Sequence, residues 1–244
     1  EISCSLVGSE MCIRDSRNSL KDLYVDGELK PATKGWSETL TNPRWVNLEG
    51  TGGYYFPEAL TVNAMRDYNG FTQLYINHGS TPENAEYKYV LLPSLTKEET
   101  ETYASHPDIE VVCNTDHIQA VREKELNILG INFWQAGQVD NVICDTQAAV
   151  VMQENGASLH ISVADPTWKQ TSIQLSLTGN YRIEEENDRV SLEVNGDKSD
   201  IVFDVTDKMG QSIEVSLVNN DYTALDEKCV DKPVYICCLL YTSP

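Results

Sequence analysis

The feature that most constrains this chain is a period of two in its apolar residues, clearest in the last third. Leu159, Ile161 and Val163 alternate with His160 and Ser162, and Ile173, Leu175 and Leu177 with Gln174 and Ser176. Val190, Leu192 and Val194 follow the same rule, as do Ile201, Phe203 and Val205, then Ile213, Val215 and Leu217. Successive side chains of a strand point to opposite faces, so each run reads as a strand with one apolar and one wet face. Antiparallel sheets packed on one side have this pattern. The turns agree. Asn155-Gly156 joins Ala148–Gln153 to Ser158–Val163, and Asn195-Gly196 ends the run from Val190, both supplying the positive φ of a tight hairpin. Asp165-Pro166-Thr167 stops the strand before it. The expected core holds Leu159, Ile161, Ile173, Leu175, Leu192, Phe203 and Val215.

Earlier in the chain, Phe71–His78 and Tyr87–Leu92 read as strands, the second ended by Pro93. Two short helices are expected. Thr96-Lys97-Glu98-Glu99 is a capping box opening Lys97–Ala104, and Thr115-Asp116 is read as the cap of Ile118–Lys124. No repeat or low-complexity tract interrupts the chain, and the best boundary is the Ser94–Asp108 stretch. The fold class is therefore all-β, an antiparallel β-sandwich architecture with two short helices.

The two ends share an unusual property. Glu10-Met11-Cys12-Ile13-Arg14-Asp15 and Cys238-Leu239-Leu240-Tyr241-Thr242-Ser243 are encoded by one DNA word read on opposite strands. That word resembles the mosaic-end adapter of transposon-based sequencing libraries. Residues 1–16 and 238–244 are accordingly expected to be translated adapter, and to be extended tails that pack against nothing specific.

Formal net charge is −20. Residues 1–16 hold Glu1, Glu10, Asp15 and Arg14, a net −2, so the remainder carries −18. A surface this acidic argues against nucleic acid or an anionic membrane as partner. It also repels a polyanionic glycan. Of seven cysteines, Cys113, Cys144, Cys229 and Cys237 lie outside the end segments. They show no C-x-x-C pair and no histidine at zinc spacing, so free thiols are expected, with the disulfide state of Cys113, Cys144 and Cys229 left open.

From Trp45 the chain resembles a known family. Trp45-Val46-Asn47-Leu48-Glu49-Gly50-Thr51-Gly52-Gly53-Tyr54-Tyr55-Phe56-Pro57 is similar to the Trp…Gly-Tyr-Tyr-Phe-Pro block of family 8 polysaccharide lyases, the hyaluronate, chondroitin and xanthan lyase group. Ile76-Asn77-His78-Gly79 and Tyr87-Lys88-Tyr89-Val90-Leu91-Leu92-Pro93 continue the resemblance. So do Asn114–Val121, Asn132-Phe133-Trp134 and Val163-Ala164-Asp165-Pro166-Thr167, in family order. Between Arg66 and Asn77 the family often has Arg-x-Gly-x-Trp-x-x-Ile-Asn, where Phe71 and Tyr75 stand here. That departure leaves the subfamily open.

The resemblance implies a secreted, monomeric enzyme with an N-terminal α-toroid, a central β super-sandwich and a C-terminal β domain. It assigns residues 17–107 to the end of the super-sandwich and 108–237 to the C-terminal β-sandwich. On that assignment Tyr54, Tyr55, Phe56, Leu74 and Val90 should lack an opposing sheet. The family's β-elimination is carried by an Asn, a His, a Tyr and an Arg of the toroid. No motif here matches them, so no residue is assigned a catalytic, cofactor-binding or metal role, and the chain by itself is expected to be inactive. A stand-alone carbohydrate-binding β-sandwich is the alternative. The glycan, the endo or exo mode of action and any calcium binding stay open.

Local candidates are weighed on their own chemistry. His78, beside Asn77 and near Tyr75, reads as a structural histidine at a strand end. His106, His117 and His160 have no paired carboxylate or cysteine at a recognisable spacing. Glu184-Glu185-Glu186-Asn187-Asp188 offers oxygen ligands but reads as a solvated turn. Trp36, Trp45, Trp134 and Trp168 could stack on sugars; Trp45 and Trp134 are expected to pack, and Trp168 to be exposed.

Overall fold

The computed structural model describes residues 21–68, 71–80, 82, 83 and 85–222, together with the backbone strands Ser3–Val7, Glu10–Asp15 and Ile236–Tyr241. The chain divides into two units: Glu1–Pro107 with Pro233–Pro244, and Asp108–Lys232. Every strand pairing is antiparallel among the described residues.

The first unit is a sandwich with a helix on its outer face. One sheet orders Ser3–Val7, Glu10–Asp15, Thr72–Asn77, Thr61–Arg66 and Ser37–Thr41. The other orders Ile236–Tyr241, Glu86–Pro93, Gly52–Tyr55, Trp45–Leu48, Leu23–Val25 and Glu28–Lys30. One apolar cluster draws Leu40, Val62, Ala64 and Leu74 from the first sheet and Leu23, Val46, Leu48 and Tyr54 from the second. Trp45–Leu48 and Gly52–Tyr55 are buried on both faces. Their second face meets the helix Lys97–Ser105, where Tyr103 packs edge-on against Tyr55 at 5.7 Å. That helix starts as its sequence requires: Thr96 Oγ1 accepts from the Glu99 amide, and the Thr96 amide donates to the Glu99 carboxylate. Asn47 fastens it from below, its Nδ2 donating to Leu95 O at 2.9 Å and Thr100 Oγ1 at 2.8 Å. Gly53 lies so close that a Cβ there would stand 2.3 Å from Thr100 Oγ1.

This arrangement corrects three expectations. Tyr54, Tyr55, Phe56, Leu74 and Val90 are all buried, because the five-stranded sheet and the helix supply the two covers thought to be missing. The end segments are extended but not isolated: Glu10–Asp15 pairs with Thr72–Asn77, and Ile236–Tyr241 with Glu86–Pro93. An open sheet edge accepts backbone from any extended apolar segment, whatever its origin. Ile236 and Cys237 therefore group with the first unit rather than with the second, where the sequence reading put them.

The second unit is a sandwich of two sheets. The larger orders Ile109–Asn114, Ile118–Glu123, Ile128–Phe133, Ala148–Asn155, Ser158–Ala164, Ile213–Asn219 and Tyr181–Ile183. The smaller orders Gly137–Val139, Val142–Cys144, Ser172–Thr178, Lys198–Asp204 and Val190–Asn195. Leu159, Ile161, Ile173, Leu175, Phe203 and Val215 are all buried in one cluster, and Leu192 packs against it partly buried. At Asn155-Gly156 and Asn195-Gly196 the glycine alone takes positive φ, +59° and +67°. It occupies the first loop position, since Asn155 pairs with Ser158 and Asn195 with Lys198.

Ile118–Lys124 is not a helix. Ile118–Glu123 is a strand with Ile118 and Ala120 buried on one face. Thr115 Oγ1 accepts from the amides of His117 and Ile118, closing a tight turn that returns the chain onto Ile109–Asn114. A side-chain hydroxyl next to a strand serves a turn as readily as a helix cap.

Candidate functional site

The second unit brings together two candidates that are far apart in sequence. His160 and Ser216 face each other across the pair Ser158–Ala164 and Ile213–Asn219, on the wet face of the larger sheet. The loop after Tyr181–Ile183 folds over them. The result is a groove of about 570 Å³ lined by His160, Glu185, Glu186, Asn187, Asp188, Arg189, Glu214, Val215 and Ser216. Asn187 Nδ2 fixes the loop by donating to Glu214 O at 2.9 Å.

The groove contains a histidine, a serine and a carboxylate, but not in a working relation. His160 Nδ1 lies 3.2 Å from Ser216 Oγ, while Nε2 is 3.9 Å from Glu214 Oε2. That second distance exceeds hydrogen-bond reach, so the carboxylate does not orient the imidazole as a base. Arg189, the groove's one cation, donates to the carbonyls of Asp204 and Thr206 and sits 3.7 Å from the Asp204 carboxylate. Four acids and one occupied arginine make the groove hostile to a carboxylated sugar. Among the described residues, no group of three or more His, Cys, Asp or Glu is placed to hold a metal ion.

The other histidines are dispersed. His78 stacks on Tyr87 at 6.1 Å, and Tyr87 on Tyr89 at 6.0 Å, extending an aromatic row along the first unit's sheet. Asn77 Oδ1 accepts from the Gly79 amide, so it serves the turn. His106 ends the helix, and His117 lies 3.4 Å from Asp116 at an exposed corner. Cys144 is buried and free, and desolvation pushes its thiol up to about 11, away from reactivity. Cys113 is free and half-buried, whereas Cys229 lies outside the described residues.

The tryptophans separate by strand phase. Trp45 is buried and Trp36 partly so. Trp134 departs from the packing expected of it. It is 44 % exposed, because its neighbour Phe133 takes the core face and the strand ends there, and its Nε1 reaches Gln119 Oε1 at 3.3 Å. Trp168 is 70 % exposed and has φ of +62°, a left-handed conformation costing a bulky residue about 1–2 kcal/mol.

Asp165 makes that conformation possible. Its carboxylate is buried and receives five donors: Thr167 N and Oγ1, Lys169 N, and Gln170 N and Nε2, all within 2.7–2.8 Å. Burial alone would raise its pKa, but the bonds from Gln170 and Thr167 outweigh burial and hold it well below the usual carboxylate range. The proline turn was legible in sequence. The five-donor clamp was not, because it needs Gln170 folded back over Asp165.

The second unit is by class an antiparallel two-sheet β-sandwich. Residues 110–174 match the C-terminal β-sandwich domain of polysaccharide lyase family 8. The chain is 35 % identical over 162 residues to a xanthan lyase of Bacillus sp. strain GL1, covering 54 % of this chain and 17 % of that protein. It is 29 % identical over 206 residues to a hyaluronate lyase of Thermasporomyces composti, covering 72 % and 26 %. A solved Paenibacillus xanthan lyase superposes with a TM-score of 0.80 at 26 % identity, over 94 % of this chain and 26 % of that one. These findings show that the chain is similar to the C-terminal β part of polysaccharide lyase family 8 members. It spans about a quarter or less of the length of these relatives.

Proposed function

We propose that the chain is the non-catalytic β portion of a secreted polysaccharide lyase that cleaves uronic-acid-containing glycans by β-elimination. The observation that carries this reading is the family match at residues 110–174, on a sandwich flanked by further similarity to xanthan and hyaluronate lyases. β-Elimination needs a group to neutralise the C5 carboxylate, a base for the C5 proton and an acid for the leaving oxygen. The groove around His160 offers none of these in working geometry, and its acidity opposes the substrate. The chemistry and the basic cleft then belong to an α-toroid region outside this chain, with the polysaccharide as partner and neither nucleic acid nor membrane. The intact protein acts as a monomer outside the cell. The test is to incubate this chain, and the longer product of its source gene, with hyaluronan, chondroitin or xanthan while following unsaturated-uronate absorbance. The longer product is expected to generate the band and this chain alone to leave it flat. Sustained product from this chain alone, abolished by His78→Ala, overturns the proposal.

A further inference from the structure

Trp168 is 70 % exposed and Met209 is 75 % exposed, on two neighbouring loops of the second unit. The loops are tied together: Val205 N donates to Thr171 O at 3.0 Å, and Thr206 Oγ1 donates to the same carbonyl at 3.3 Å. The indole rests by one edge on Gly210, where a Cβ would come 2.4 Å from Trp168 Nε1 and 2.9 Å from Cδ1. Trp168, Asp207, Met209 and Gly210 all have positive φ, so both loops are held in conformations that side chains ordinarily avoid. The Asp165 clamp fixes one side, and the Lys208 carbonyl accepts from Gln211 N on the other. The chain thus spends strain and a five-donor network to hold an indole in water. An indole left 70 % exposed returns little apolar burial to folding.

The surroundings say what the ring meets. Lys169 is exposed beside Trp168, and Lys208 precedes Met209, two cations on a chain of net charge −20. Of the nearby acids, Asp165 is consumed by its clamp, and Asp204 is engaged by Thr206 N at 3.0 Å and by Arg189; exposed Asp207 offsets its neighbour Lys208, which leaves Lys169 as the cation beside the ring. One indole and one thioether are far too small for a protein interface, which takes about 800 Å² from each partner. They match a single sugar ring, whose C–H face stacks on an aromatic face while its hydroxyls and carboxylate need polar neighbours.

We propose that Trp168, with Met209 and flanking Lys169, is a stacking subsite for one pyranose unit of an acidic polysaccharide. It rests on the lyase reading for the identity of that glycan. The test is isothermal titration calorimetry of the full chain with size-defined hyaluronan, chondroitin and xanthan oligosaccharides, and with cellohexaose as the uncharged probe. Saturable binding of at least one acidic oligosaccharide is expected. Trp168→Ala should weaken it about tenfold or more, while Trp168→Tyr keeps it within a few-fold. Lys169→Gln should weaken acidic probes and reduce their salt sensitivity. Gly210→Ala, which displaces the indole without removing it, should act like Trp168→Ala, with near-UV circular dichroism and melting confirming the folded state of each variant. Absence of saturable binding, equal binding by the folded Trp168→Ala protein, or preference for cellohexaose overturns the subsite. The two readings fail separately. An active longer protein with no binding here refutes the subsite alone, and binding here with an inactive longer protein refutes the lyase reading alone.

Discussion

Replacing Asp165 with asparagine leaves volume and shape unchanged but turns one acceptor oxygen into a donor. In the native loop Oδ1 accepts from Thr167 N, Thr167 Oγ1 and Gln170 Nε2, and Oδ2 accepts from Lys169 N and Gln170 N. An amide nitrogen at the Oδ2 position strands two backbone donors. At the Oδ1 position it strands Thr167 N and forces Gln170 to turn, breaking that side chain's bonds to Thr146 Oγ1 and Gln147 O. Each stranded buried donor costs about 1–3 kcal/mol, and some relaxation at a surface loop reduces the sum, so the loss is about 2–4 kcal/mol. With a urea slope of about 2 kcal/mol/M, the midpoint of this unit falls by about 1–2 M. The readout is urea unfolding followed by emission of Trp134 and Trp168. The pH dependence has a fixed sign. A depressed carboxylate pKa contributes stability that is full above the ordinary unfolded value of about 3.9 and fades as pH drops through the folded value. The gap between the two proteins should therefore be constant from neutral pH to about 5 and narrow only below about 4. A loss under about 1 kcal/mol at neutral pH, or a gap that does not narrow in acid, would refute the reasoning.

Other perturbations follow from the same geometry. Phe203→Ala empties a fully buried site between the two sheets of the second unit and should cost about 3–5 kcal/mol, read as a lower urea midpoint for that unit. Thr96→Ala removes the capping box and should lower stability of the first unit by about 1 kcal/mol, visible as earlier loss of Trp45 emission. Cys144, buried with its thiol raised to about 11, should be slower to alkylate than Cys113 when native protein is treated near pH 8 and mapped by peptide mass spectrometry.

The sandwich of the second unit was legible because strand periodicity and tertiary burial agree at nearly every position. Ile161, Ile173, Leu175 and Phe203 sit where their phase puts them. The misreadings share a cause. Thr115 was read locally as a helix cap, but cross-strand pairing of Ile118 with Phe133 decides the segment. Trp134 was judged by its apolar neighbours, although phase alone hands the core face to Phe133. The groove joins His160 to Glu185–Arg189 through a loop crossing, and no spacing rule reports which face of a sheet a loop will cover. The cover over Tyr55 and Val90 was missed for a similar reason. Family likeness placed those residues, but it said nothing of which sheet and helix meet them within this chain.

The contact between Gly53 and Thr100 has an evolutionary consequence. The helix Lys97–Ser105 approaches its sheet at a distance set by what two positions jointly hold: no side chain at 53 and a β-branched threonine at 100. A lone Gly53→Ala change would drive a methyl into Thr100 and loosen its bond to Asn47, so selection would see it as damage. The same change paired with Thr100→Gly restores the spacing, at the cost of the bond from Asn47. Substitution at either position should thus travel with the other among relatives. Lineages in which Gly53 is lost while a threonine-sized residue persists should instead show the helix lifted, re-registered or replaced by a loop.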